Sequence, residues 1–211
     1  MTIEQVIVQA IVQGLTEFLP VSSSAHLILV RYLLHWEDPG LAFDVALHAG
    51  TLIAVLIYFA STWVKLFRSA LGQPVRISDE TLPASNLSPE EMRRERMLLW
   101  YLIVATIPGA IIGKIFDKRL DESFHGKDLA RRIPVIAGAM VVVALIMWAS
   151  EKAAAFRKPI TGITLVDAMV IGCAQAFAVI PGVSRSGSTI AVGFFRGMSR
   201  EAAVRFSFLL S

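Results

Sequence analysis

Two short stretches carry the residue types that could do chemistry. Near the C-terminus, Pro181-Gly182-Val183-Ser184-Arg185-Ser186-Gly187-Ser188-Thr189 sets an arginine, hydroxyls and two glycines in an otherwise apolar run. Such a turn exposes backbone N–H groups and side-chain donors, and a guanidinium beside them offers a bidentate partner for phosphate oxygens. Gly182, Ser184, Ser186 and Thr189 are therefore candidate phosphate-binding residues, with Arg185 at their centre. Near the N-terminus, Gln13-Gly14-Leu15-Thr16-Glu17-Phe18-Leu19-Pro20-Val21-Ser22-Ser23-Ser24-Ala25-His26 supplies acid–base chemistry. Gln13 and Glu17 are four apart and share a helix face. Pro20 ends that helix, leaving Ser22, Ser23 and Ser24 at a turn and His26 at the head of the next helix. A carboxylate, an imidazole and hydroxyls so close together could coordinate a hard cation and activate a serine or a water. The alternative is that Glu17 and His26 satisfy one another inside a bundle.

The elements that must position these residues belong to a membrane protein. Apolar residues make up 55% of the chain and the mean hydropathy is +0.62. Asp, Glu, Lys and Arg are absent from Val45 to Val64, Met97 to Gly113 and Ile133 to Ser150, each long enough for a helix to cross the hydrocarbon. Pro159 to Ser184 is interrupted only by Asp167, which caps or anchors the entering helix, and ends in the Pro-Gly motif. The N-terminal region differs. Glu4, Glu17 and Arg31 bracket uncharged runs too short to span, which points to re-entrant or broken helices. It lacks the basic region and cleavage site of a signal peptide.

Shifting the sequence by 162 positions lays Gln13 on Gln175, Val21 on Val183, Ser22 on Ser184 and Ser24 on Ser186. The fold expected is an all-α integral membrane protein, a multi-span helix bundle with two re-entrant broken-helix hairpins forming an inverted repeat. Residues 1–211 make a single polytopic domain, with the first hairpin at about 4–34 and the second at about 163–197. The chain stops inside the apolar run Phe206 to Ser211, so further C-terminal helices are expected.

Ser88-Pro89-Glu90-Glu91 has the form of a capping box with proline at the first helical position. It closes a polar connector from Lys65 to Arg96, and Lys114 to Arg132 reads as a basic loop. Six basic residues in that loop, against nine in the segments opposite, give the positive-inside rule only a weak preference. The net charge of +3 lies along membrane-flanking segments and suits anionic headgroups. Nothing supports nucleic acid binding, and the single cysteine, Cys173, permits no intrachain disulfide.

Other residues are open to two readings. Asp44 and His48, one helical turn apart, could line the same cavity or form an interfacial pair at a helix head. Their role stays open. His35 and His125 read as interface and loop residues, and Arg196, Arg200 and Arg205 as boundary cations that could steer an anionic headgroup.

With both motifs in this order, the chain resembles the bacterial undecaprenyl-diphosphate phosphatases of the bacitracin-resistance type. The resemblance runs over essentially the whole chain. It implies an enzyme of the inner membrane, active site facing outward, that removes the terminal phosphate of a C55 polyprenyl diphosphate and recycles the lipid carrier for cell-wall (peptidoglycan) synthesis. It implies a divalent cation, Mg²⁺ or Ca²⁺, held by Glu17 and Gln13. Glu17, Ser23, His26 and Arg185 are carried over as the essential residues. Position 13 is Gln where many relatives have Glu, leaving fewer carboxylates for metal.

The chemistry expected of that site is charge neutralisation, in-line attack and stabilisation of the leaving lipid phosphate. Arg185, Ser184, Ser186 and Thr189 would cradle the diphosphate, assisted by Ser22 and Ser24. A cation would bridge it to Glu17. Ser23 or a water would attack while His26 or Glu17 takes the proton. All four histidines precede Arg185, unlike the chain order of lipid phosphatases that use a histidine nucleophile. The competing reading is a polyprenyl-phosphate transporter or flippase, since alternating access uses similar repeats and midplane anion sites. The lipid and the bilayer are the expected partners, and the oligomeric state, a homodimer included, is not fixed.

Overall fold

The structure is a computed structural model describing residues 1–77, 84–125 and 129–211, with side chains described at 1–77, 85–115 and 132–211. The described residues form helices α1 (Ile3–Phe18), α2 (Ser23–Leu33), α3 (Leu41–Tyr58), α4 (Ala60–Ala70), α5 (Pro89–His125), α6 (Leu129–Ala153), α7 (Leu165–Ala176), α8 (Arg185–Phe195) and α9 (Arg200–Leu209), with no strand among them. In lipid a helix satisfies its own backbone polar groups, which an open strand cannot. Leu41–Tyr58, Pro89–Ile115 and Arg132–Ala153 are long and apolar enough to cross a membrane. Side chains such as Ile57, Tyr58 and Trp148 stand well exposed on them, as lipid-facing residues do. The chain is an all-α, multi-pass membrane protein.

Local sequence sets the helix ends. Thr2 and Gln5 form a reciprocal capping box at the start of α1, as Thr164 and Asp167 do for α7. Ser88 and Glu91 cap α5 in the same way, with bonds of 2.8 and 3.2 Å. α1 stops before Pro20 and the helical turn after α7 stops before Pro181. In each case the residue preceding the proline, Leu19 or Ile180, is extended, as the proline ring requires.

The displacement of 162 that aligns the serine turns also aligns these elements. α1 and α7 start at Ile3 and Leu165, α2 and α8 start at Ser23 and Arg185 and end at Leu33 and Phe195, and the two capping boxes superpose residue for residue.

Two sequence expectations are corrected. The apolar run Val45 to Val64 is not one helix: α3 ends at Tyr58 and α4 starts at Ala60, with Thr62, Leu66 and Ser69 turned inward. The connector from Lys65 therefore begins as helix, and its residues 78–83 lie outside the described residues. Nor is Lys114 to Arg132 a simple loop, because α5 continues to His125 and α6 starts at Leu129. The side chains of Lys118, Arg119, His125, Lys127 and Arg131, part of the basic segment, lie outside the described residues.

The main core joins α4, α5, α7, α8 and α9 through Leu66, Leu98, Leu102, Ala105, Ile171, Ile190 and Phe206. Glycine makes the α5–α7 approach possible, since a Cβ on Gly172 would lie 2.9 Å from the Ala105 Cα. α6 lies along α8, and a smaller cluster of Ala25, Ile28 and Ile136 ties α2 to α6. These contacts bring the 19–22 turn against the 180–184 turn.

Candidate active site

Glu17 sits in the last turn of α1, where Pro20 forces the chain out of the helix, and its side chain is 10% exposed. Gln13, one turn earlier and fully buried, donates from Nε2 to Glu17 Oε2 at 3.0 Å. Ser23 Oγ donates to the same oxygen at 2.5 Å. Arg185 Nη2 donates to the other oxygen, Oε1. The first residue of α8 and the last turn of α1 are thus joined by a partly buried ion pair, and Ser186 Oγ adds a bond to the Leu19 carbonyl at 3.2 Å.

The turn between α1 and α2 is strained. Ser22 has φ +64°, a region a residue with a Cβ seldom adopts. That conformation starts α2 at Ser23, whose hydroxyl meets Glu17. Across from it, Ser184 is the N-cap of α8, its Oγ accepting from Gly187 N at 3.0 Å and lying 3.2 Å from Ser186 Oγ. A cavity of about 250 Å³ opens between the turns, lined by Thr16, Glu17, Ser22, Ser23, Ser24, His48, Ala178, Val183, Ser184, Arg185 and Ser186. One carboxylate, one guanidinium, one imidazole and several hydroxyls face it. An anion entering there meets Arg185 and the serines, with the N-terminus of α8 behind them.

The structure therefore brings together Gln13, Glu17, Ser22, Ser23, Ser24, Ser184, Arg185 and Ser186. It does not bring His26, Gly182 or Thr189 to the cavity wall. His26 stands one turn into α2, its Nδ1 2.8 Å from the Ser22 carbonyl, and it does not pair with Glu17 as a buried-bundle reading requires. Thr189 is turned inward, donating to carbonyls of α8 and lying 2.7 Å from Ser207 Oγ of α9. Gly182 has φ +90°, and a Cβ there would run into the Ile136 carbonyl of α6, so its part is to let the turn pack.

Two residues weighed as open fall on either side. His48 lines the cavity, with Nε2 3.6 Å from Glu17 Oε2. Asp44 is held instead by a bidentate pair with buried Arg31, at 2.8 and 2.9 Å, joining α3 to α2. Thr16 on the cavity wall and the Arg31–Asp44 pair were not singled out from sequence. Thr16 is marked only by standing next to Glu17, and a pair 13 residues apart leaves no local signal.

The boundary cations Arg196, Arg200 and Arg205 have structural partners. Asp167, fully buried, accepts from Lys158 Nζ at 2.7 Å and Arg196 Nε at 2.6 Å. Arg200 reaches Glu151 and covers the Phe156 ring, while Arg205 donates to Thr62 Oγ1 at 3.2 Å.

For a cation, the described residues hold no cluster of three His, Cys, Asp or Glu side chains. The donors that fit one are the Glu17 carboxylate and Gln13 Oε1, a buried acceptor with no partner among the described residues. One carboxylate and an amide oxygen suit an ion such as Mg²⁺ that takes its other ligands from substrate phosphate and water.

A family model described as bacitracin resistance protein BacA matches residues 6–211. An undecaprenyl-diphosphatase of Moorella thermoacetica is 44% identical over 211 residues, covering 100% of this chain and 72% of that protein. Proteins of the same description from Gemmatimonas aurantiaca and Pelotomaculum thermopropionicum are 46% and 43% identical, covering 100% of this chain and 72% and 71% of theirs.

Proposed function

The chain belongs to the bacitracin resistance protein BacA family, and on that footing we propose that it hydrolyses undecaprenyl diphosphate to undecaprenyl phosphate and inorganic phosphate. The observation that carries this reading is the convergence of Arg185, Glu17 and Ser23 at one cavity from hairpins at opposite ends of the chain. Recycling of the lipid carrier for peptidoglycan synthesis, and with it bacitracin resistance, follows from that activity.

In the proposed reaction Arg185 leaves part of its contact with Glu17 to take the terminal phosphate, with Ser184, Ser186, Ser22 and Ser24 donating to the remaining oxygens. Ser23 Oγ, or a water in its place, attacks phosphorus in line with the bridging oxygen. Glu17, already bonded to the Ser23 hydroxyl, takes its proton. The new O–P bond forms as the bond to the bridging oxygen breaks, and the lipid monophosphate leaves. A divalent cation, Mg²⁺ or Ca²⁺, would be held by Glu17 and Gln13 and would neutralise diphosphate charge. His26, off the cavity wall, is assigned to holding the Ser22 turn.

The two hairpins are proposed to enter the bilayer from opposite faces as an inverted repeat, an arrangement supported by the shared displacement of 162 and the contact of their tips. The site is assigned to the outer face of the cytoplasmic membrane. Flipping of lipid phosphate is not favoured, because a carrier needs Arg185 and the serines but has no use for a hydroxyl bonded to a carboxylate.

The test is phosphate release from C55 diphosphate by detergent-purified protein, with and without chelator, beside Arg185→Ala and Glu17→Ala. Cation-dependent release lost in both variants supports the reading, and lipid binding without release removes it.

A further inference from the structure

His48 is the cavity-lining base whose lone pair the proposed reaction leaves unused. Its Nδ1 lies 2.8 Å from the Asp44 carbonyl oxygen. A carbonyl can only accept, so Nδ1 carries the hydrogen and a neutral ring has its lone pair on Nε2. That nitrogen is 3.6 Å from Glu17 Oε2, beside the oxygen that accepts from Ser23. With the ring neutral both atoms are acceptors, and a hydroxyl or water beside them in the cavity can donate to one while standing against the other. His26 has the same Nδ1-to-carbonyl geometry but does not line the cavity.

The surroundings divide the labour. Glu17 accepts from Gln13, Ser23 and Arg185, so most of its lone-pair capacity is committed. The charged groups around His48 are Glu17 on α1, Arg185 on α8 and the Arg31–Asp44 pair, which fixes the first turn of α3 against α2. The His48 side chain is 39% exposed, against 10% for Glu17. A proton received on Nε2 therefore lies nearer the open side of the cavity than one on Glu17.

We propose that His48 is a further catalytic residue, the general base for the water that delivers oxygen to phosphorus. This rests on the phosphatase reading. As the water oxygen bonds to phosphorus, its proton passes to Nε2 and the bond from phosphorus to the leaving oxygen breaks. The leaving oxygen is that of Ser23 if a phosphoserine forms, and it then takes back its proton from Glu17; it is the bridging oxygen if not. His48 then releases the proton to solvent at its exposed edge.

Phosphate release is measured for the wild type, His48→Ala, His48→Gln and Glu17→Ala, each with and without added imidazole, after thermal unfolding shows the variants folded. General-base catalysis contributes about 10²–10⁴-fold, so both His48 variants should fall by at least about 100-fold. Imidazole should restore His48→Ala at least about tenfold and leave Glu17→Ala unchanged. A His48→Gln protein within about threefold of wild type would show that a hydrogen bond suffices and overturn the proposal, as would His48→Ala without imidazole rescue. Absence of release by the wild type would overturn the phosphatase reading itself, which separates the two failures.

Discussion

Arg185 Nη2 bonds Glu17 Oε1 across 168 residues of sequence, joining the first turn of α8 to the last turn of α1. One residue closes the anion-binding motif on the acid–base motif. This partly buried ion pair costs some desolvation of both charges, and in the proposed reaction a diphosphate gives the arginine a second partner.

Arg185→Lys tests whether charge alone suffices. A lysine keeps the charge but presents no planar fork, so it holds Glu17 and a phosphate oxygen without the fixed bidentate geometry of a guanidinium. We expect kcat/KM for C55 diphosphate to fall by at least about 100-fold in Arg185→Lys and further in Arg185→Ala, on the scale of losing a preorganised oxyanion donor. Recovery of near wild-type rates in Arg185→Lys would exclude a bidentate role.

Ser23 separates nucleophile from hydrogen-bond donor. Its hydroxyl is 2.5 Å from Glu17 Oε2 at the head of α2, next to the strained Ser22. Ser23→Ala should abolish turnover without lowering the unfolding temperature by more than about 2 °C, since the side chain is small and its partner keeps Gln13 and Arg185. Phosphate release with C55 diphosphate, followed beside a thermal melt, checks both halves. Turnover near wild type would leave water as the attacking group.

Much of this site is legible in the sequence because ionisable residues in apolar runs are costly and stand out. Glu17 and Arg185 announce themselves, and Pro20 and Pro181 mark where each broken helix must stop. The side of a helix that a hydroxyl faces is less legible. Thr189 belongs to the same motif as Ser186 but bonds its own helix's carbonyls and Ser207, a choice set by how α9 packs on α8. The choice between His26 and His48 is likewise long-range: both bond the carbonyl four residues back, and only the placement of α3 against α1 turns His48 to the cavity. The break at Phe59 and the extension of α5 were hidden because composition shows where charge is absent, not where a helix bends or runs on into polar sequence.

The Arg31–Asp44 pair predicts a stability effect away from the chemistry. Arg31 is 4% exposed and its two nitrogens meet both Asp44 oxygens. Removing one partner of a buried pair costs about 3–5 kcal/mol. Asp44→Asn should fall at the low end, about 3 kcal/mol, because Asp38 stands 3.5 Å from Arg31 Nη1. Denaturant unfolding in detergent measures it. Asn keeps the backbone carbonyl that meets His48 Nδ1, so turnover should fall only as the folded fraction does.

Gly182 gives the sharpest link from packing to function. Its φ of +90° costs an alanine about 1–2 kcal/mol, and a Cβ would meet the backbone oxygen of Ile136, which no rotamer can move aside. The 180–184 turn must then lift from α6. Arg185 is three residues on, at the head of α8, so the shift passes directly to its contact with Glu17. A misplacement near 1 Å can cost about 100-fold in rate. Gly182→Ala should therefore lower kcat/KM by at least tenfold while its unfolding free energy drops by only a few kcal/mol. Phosphate release and denaturant unfolding on the same preparation decide the matter. Activity that merely tracks the folded fraction would show that the turn tolerates displacement and that Arg185 is positioned by α8 alone.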